Sequence, residues 1–138
     1  MIYFSSDLHF GHNKNFLYEP RGFNSIEEHD EQIIKNWNEI ITDEDDVYIL
    51  GDLMLNDNES GIEKLKQLKG KIHIILGNHD SAVRQEIYKT LFDEVLYATM
   101  IKVGKQYYFL THYPSITSNY DDRPYHSHVI NLSRSYAF

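Results

Sequence analysis

Cysteine is absent from the 138 residues. That excludes a disulfide framework, a thiolate nucleophile and a cysteine-based zinc finger, and it fits a reducing compartment. Basic residues are few: 13 Lys and Arg face 21 Asp and Glu, a formal net charge of −8. Passive nucleic-acid binding normally shows a basic face, so no stable nucleic-acid complex is expected. No apolar run approaches the length of a membrane span. The opening Met-Ile-Tyr-Phe-Ser-Ser-Asp has neither a basic region nor a long apolar stretch, so a secretory leader is not expected and the expected location is cytoplasmic. Repeats, low-complexity tracts and linkers are also missing. Residues 1–138 therefore read as one domain, long enough to bury a core without staples.

Acidity does not exclude an anionic substrate. Carboxylates that hold divalent cations count as negative in the formula, and a bound ion reverses the local sign. The eight histidines bear on the same point.

The apolar pattern alternates between two periods. Ile2 to Ser5, Val47 to Leu50 and Ile72 to Leu76 are short β-prone runs that read as buried strands. Between them, Ser25-Ile26-Glu27-Glu28 is a capping box. It opens a helix with Ile26, Ile33, Ile34, Trp37 and Ile40 or Ile41 on one stripe. Residues 59–69 read as a helix with Ile62, Leu65 and Leu68 inward and Gly70 as its C-cap. Residues 81–92 read as another, carrying Val83, Ile87 and Leu91. Then the pattern changes. Runs 95–103 and 106–111 are β-prone and joined by Gly104-Lys105, suited to a two-residue type II′ hairpin. The expected class is α/β, with a mixed sheet or two packed sheets.

Each polar cluster follows a predicted strand. Strand one ends in Ser6-Asp7-Leu8-His9, strand two in Gly51-Asp52, strand three in Gly77-Asn78-His79-Asp80, and the hairpin in Thr111-His112. Taken singly, each has a plain alternative: Gly-Asp as a turn, Asp80 or Ser81 as a helix cap, His112 as a satisfied loop histidine. Taken together they are far more specific, because ligand sites of open α/β sheets lie at the carboxyl ends of strands. Parallel strands would bring Asp7, His9, Asp52, Asn78, His79 and His112 to one place. Carboxylate, imidazole and amide oxygen without thiolate suit Mn, Fe, Ni or Zn. A carboxylate has two oxygens, so one Asp can join two ions, and two divalent ions roughly 3.5–4 Å apart form the clamp used for phosphoryl displacement. A histidine beside them can protonate the leaving oxygen.

The order Asp-x-His, Gly-Asp, Gly-Asn-His-Asp and His resembles the calcineurin-like metallophosphoesterase superfamily. Ser6-Asp7-Leu8-His9-Phe10-Gly11-His12-Asn13 is similar to a subgroup of small bacterial and phage phosphoesterases. The resemblance implies two packed mixed β-sheets flanked by helices. It implies hydrolysis of a phosphomono- or phosphodiester by metal-bound hydroxide at a dinuclear site, with Mn favoured. It implies Asp7 and His9 on the first metal, Asp52 bridging, and Asn78 and His112 on the second. His79 becomes the phosphate contact and candidate general acid, oriented by Asp80. His12 lies on the loop where it could touch substrate.

The family's last motif, Gly-His-x-His, does not follow the β-prone segment 129–133. The C-terminal strands are therefore expected to be missing, leaving an open sheet edge and a homo-oligomer. One permitted coding of Arg134 to Phe138 reads Gly-His-Thr-His after loss of its first nucleotide, so a frameshift is the expected origin of the tail. His126 and His128 precede that strand and, at about 3.3 Å per residue, are not expected to replace the lost ligands. The competing reading is a catalytically impaired remnant that serves as a metal-binding or oligomeric scaffold.

Overall fold

The computed structural model describes residues 1–113 and the backbone of 127–131. Four strands form one sheet: β1 (Ile2–Ser5), β2 (Asp46–Leu50), β3 (Lys71–Ile75) and β4 (Glu94–Leu96), in that spatial order and parallel throughout. A second, mixed sheet holds β5 (Ala98–Val103), β6 (Gln106–Thr111) and β7 (Ser127–Asn131). Its β5–β6 pair is antiparallel and its β6–β7 pair parallel. The helices are α1 (Asn15–Tyr18), α2 (Ile26–Ile40), α3 (Asn58–Leu65) and α4 (Ala82–Leu91).

The first sheet is buried on both faces, which is why its strands read as continuous apolar runs. Val47, Ile49 and Ile74 point to one side and pack with Trp37, Ile41, Leu65 and Tyr88. Leu50 and Ile75 point to the other and meet Leu110 of the second sheet, with Phe4, Tyr48, Leu96 and Tyr108 around them. His73 has a structural place. It lies between Asp46 (2.9 Å) and Glu94 (2.5 Å), tying three strands together, and its ring stacks on Tyr48.

Several local expectations hold. Ser25 accepts from the Glu28 amide at 3.1 Å. The Glu28 carboxylate reaches back to the Asn24 amide, one residue before the cap. Ile41 is the buried member of the isoleucine pair, and Ile40 is exposed. Gly104 takes φ 61° in the tight turn between Val103 and Gln106.

Others are corrected. The run 95–103 is two strands, because the chain breaks at Tyr97 and passes from one sheet to the other. Helix α3 stops at Leu65, so Gly70 is not its cap. Gly70 instead turns the chain into β3 with φ 103°. In α4 the inward residue is Tyr88, while Val83 is 64% exposed. The last strand begins at Ser127, which places His128 inside it opposite Tyr108. His126 and residues 132–138 lie outside the described residues. Among the described residues no helix is long and apolar enough to cross a membrane.

Candidate metal centre

Parallel order does what the strand-end motifs require. Beyond the ends of β1 and β2 the two chains stay zipped. Asp7 donates its amide to the Gly51 carbonyl, His9 to Asp52 and Phe10 to Leu53, each at 3.0 Å. Alternate residues adopt left-handed backbone: Asp7 and His9 at φ 53°, Asp52 at φ 57°. Asp and His tolerate this region better than most residues, yet each costs on the order of 1–3 kcal/mol and persists where the surroundings over-determine it. Three of the five expected ligands adopt this backbone.

Two glycines make room. A Cβ on Gly51 would sit 2.5 Å from His112 Nδ1, and one on Gly77 would collide with Asp52 Oδ1. The Gly-Asp and Gly-Asn pairs are therefore small-residue contacts between strand ends as well as turns.

Asp7, Asp52 and His112 are buried, and each places a donor atom within 4.8 Å of the others. His9 Nε2 lies 3.4 Å from Asp7 Oδ1 and 3.6 Å from Asp52 Oδ2. His112 Nε2 lies 3.7 Å from Asp52 Oδ2 and 2.9 Å from Asn78 Oδ1. The proton of His112 is on Nδ1, because that atom faces the Leu50 carbonyl at 2.8 Å and a carbonyl only accepts. Its Nε2 thus faces Asp52 and the Asn78 amide oxygen, an orientation typical of a ligating histidine. Asp7 Oδ1, His9 Nε2 and Asp52 Oδ2 are buried without a hydrogen-bond partner. Buried polar atoms are nearly always partnered. Three that converge, all of metal-ligating type, fit a divalent cation.

The electrostatics agree. Burial alone would raise the Asp52 carboxyl, but the His9 ring, the His79 amide and the nearby imidazoles outweigh it and hold it below its ordinary range. Burial alone would lower His9, but Asp52 and Asp7 outweigh it and raise the ring. His12 is pushed down to about 4 by burial and then by the positive fields of His9, His79, Lys14 and Arg21.

A calcineurin-like phosphoesterase family model matches residues 1–134. The chain belongs to the calcineurin-like phosphoesterase family. It is 37% identical over 131 residues to the uncharacterized protein MJ1445 of Methanocaldococcus jannaschii, covering 92% of this chain and 68% of that one. It is 31% identical to the Gene 66 protein of Mycobacterium phage L5, covering 83% of this chain and 63% of that protein. Among solved structures it is similar to a protein of unknown function, AQ665, from Aquifex aeolicus, with a TM-score of 0.67 and 32% identity over 88% of this chain and 67% of that one. The chain therefore spans about two thirds of the length of these relatives.

Against the family's pattern, the structure brings Asp7, His9, Asp52, Asn78 and His112 together. His79 is half-buried, its ring 5.6 Å from that of His9, and its amide donates to Asp52 Oδ1 at 2.9 Å. His12 contacts His9 directly, Nδ1 to Nδ1 at 2.9 Å, with Phe16 edge-on to its ring. If His9 ligates through Nε2, its Nδ1 carries the proton and donates to a neutral His12.

Asp80 has a different place from the one expected. Its carboxylate accepts from the amides of Gly77 (2.7 Å), Asp52 (2.9 Å) and Leu53 (3.3 Å) and from the Tyr88 hydroxyl (3.2 Å). Both oxygens are spent on the strand-end turns, so Asp80 positions Asp52 and not the His79 ring. The His79 carbonyl is held instead by Arg84 Nη1 at 2.8 Å.

Sequence reasoning missed one group. Arg21, His29, Asp30 and Lys64 form a connected polar network under the ligand loop. A signal was present: Asp30 shares the stripe of Ile26, Ile33 and Trp37 at helical spacing, and a charged residue on a buried stripe calls for partners.

Proposed function

We propose that the chain is a metal-dependent phosphoesterase that hydrolyses phosphomono- or phosphodiesters at a dinuclear centre. The observation that carries the reading is the convergence of three unpartnered buried donors on strained strand-end turns. Asp7, His9 and Asp52 would hold one ion; Asp52, Asn78 and His112 would hold the other. Asp52 would be the residue the two ions share: its Oδ1 accepts from the His79 amide and its Oδ2 faces both histidines. The bound ions would neutralise phosphate charge and activate water. His79, half-buried with its ring 5.6 Å from that of His9, would contact the phosphate and give a proton to the leaving oxygen. Mn is favoured among Mn, Fe, Ni and Zn, all compatible with this donor set.

The test uses chelator-stripped protein, each of the four ions in turn, an aryl phosphate and its diester. Uptake of two ions per chain with hydrolysis supports the proposal. Failure to bind any of the ions overturns it. Uptake without turnover supports the scaffold reading, which is favoured by the three protein donors that each position receives from the described residues. His79→Ala should keep its metal and lose turnover.

Self-association is a further part of this proposal. Strand β1 has only β2 beside it among the described residues, and such an edge can pair with a second chain. A constant monomer mass by light scattering across a concentration series would count against it.

A further inference from the structure

The segment Asp7 to Gly11 carries two of the proposed ligands, both in left-handed backbone. Its two ends are gripped by one side-chain circuit. At the first end, Arg21 Nη2 donates to the Asp7 carbonyl at 3.0 Å. Arg21 Nη1 donates to His29 Nε2 at 2.9 Å. His29 must then carry its proton on Nδ1, which donates to Asp30 Oδ1 at 2.7 Å. At the second end, Asp30 Oδ2 accepts from the Gly11 amide at 2.9 Å and from Lys64 Nζ at 2.6 Å. Each link in this circuit pairs a donor with an acceptor.

His29 is 0% and Asp30 1% exposed. A part-buried ion pair such as Asp30–Lys64 is weak grounds for stability, since desolvation offsets much of the attraction. What the circuit does offer is geometry. It ties the ligand segment to α2 through Asp30 and to α3 through Lys64, and it meets both ends of the strained stretch. Strained backbone persists only where its surroundings over-determine it, and outer partners of metal ligands set their orientation.

We infer that Arg21, His29, Asp30 and Lys64 act as a positioning clamp that sets the geometry, and so the metal affinity, of Asp7 and His9. The inference rests on the metal centre proposed above. Arg21 and Asp30 touch no reacting atom in this scheme; they act through the backbone at Asp7 and Gly11.

The experiment measures Mn²⁺ dissociation constants by calorimetry and the visible spectrum of the Co²⁺-loaded protein, which reports ligand geometry. The variants are Arg21→Met, Arg21→Lys and Asp30→Asn, with Ile72→Val, near the start of β3 and packed on the core, as a control away from the loop. Arg21→Met and Asp30→Asn should each weaken Mn²⁺ binding about 10- to 100-fold and alter the Co²⁺ spectrum. Arg21→Lys should recover part of the loss, because one ammonium can serve one of the two acceptors. Ile72→Val should lower the melting temperature and leave both readouts unchanged. Asp30→Asn keeps the shape of the side chain and carries the test if Arg21→Met does not fold. Parent affinity and parent spectrum in Asp30→Asn overturn the clamp, whatever happens to its melting temperature. A parent protein that binds neither ion overturns the metal centre itself, an outcome distinct from the first.

Discussion

Replacing Gly77 by alanine should damage the metal centre out of proportion to its effect on the fold. The added Cβ would collide with Asp52 Oδ1 and would lie 2.9 Å from the Asp52 amide nitrogen and 3.0 Å from Gly51 Cα. None of these can step aside cheaply. The carboxylate is buried and receives the His79 amide at 2.9 Å, and the other two atoms are backbone held by Asp80 and by the close approach of the strands. Overpacking of this kind costs about 1–3 kcal/mol. For a domain of this size each kcal/mol lowers the melting temperature by roughly 3–5 °C. Displacing the shared ligand should also weaken metal binding about 10- to 100-fold. Gly104→Ala is the matched control. Nothing lies within 4 Å of its Cβ, but φ is +61°, so the cost is backbone strain of about 1–2 kcal/mol with no reach to the site. Both variants should melt earlier in a calorimeter, and only Gly77→Ala should lose metal in a titration. Parent metal affinity in Gly77→Ala, or an equal loss in Gly104→Ala, would refute the reasoning.

Asp52→Asn should reduce bound metal more than His12→Ala does, because Asp52 faces both ion positions while His12 bears on them only through the His9 ring; equal metal content by elemental analysis would remove the basis for the shared ligand. Asp80→Asn presents an amide NH₂ where four donors now converge; it should cost about 1–3 kcal/mol and weaken metal binding, and unchanged affinity would show that the Gly51-Asp52 turn holds without it. Metal affinity should rise with pH. His9 is raised in the metal-free protein and must lose its proton to ligate, so affinity climbs as pH passes through that raised value and levels off above it. The sign for stability is the reverse. Protonated His9 between two carboxylates stabilises the metal-free fold below its unfolded value of about 6.5, and this is lost as pH rises through the folded value. Calorimetry in buffers of different ionisation enthalpy should detect proton release on metal uptake at neutral pH, and its absence would exclude His9 as the group displaced.

Much of this molecule was legible in one dimension. Strand runs and helical stripes are local, because their periods of 2 and 3.6 follow from backbone geometry alone. So β1, β2, β3 and α2 stand where the apolar pattern put them. The ligand set was legible in part for a related reason: parallel strands carry their ends to one side, so Asp7, His9, Asp52 and Asn78 needed only strand order to meet, while His112 follows β6 and joins them through packing of the second sheet on the first. What depended on packing across the chain could not be read. The β-prone run 95–103 contains no punctuation that marks Tyr97 as a passage between sheets. Asp80 reads like a partner for the histidine beside it, yet its oxygens serve amides 27 and 28 residues earlier, an arrangement created when β2 and β3 pair. Lys64 meets Asp30 across 34 residues, and neither motif nor period connects them. Residue type and spacing determined which chemistry the chain could hold, because they set donor atoms and local backbone. Tertiary structure alone decided which buried carboxylates face the metal positions and which hold the backbone that presents them, because that choice depends on the donors that packing brings within hydrogen-bond reach.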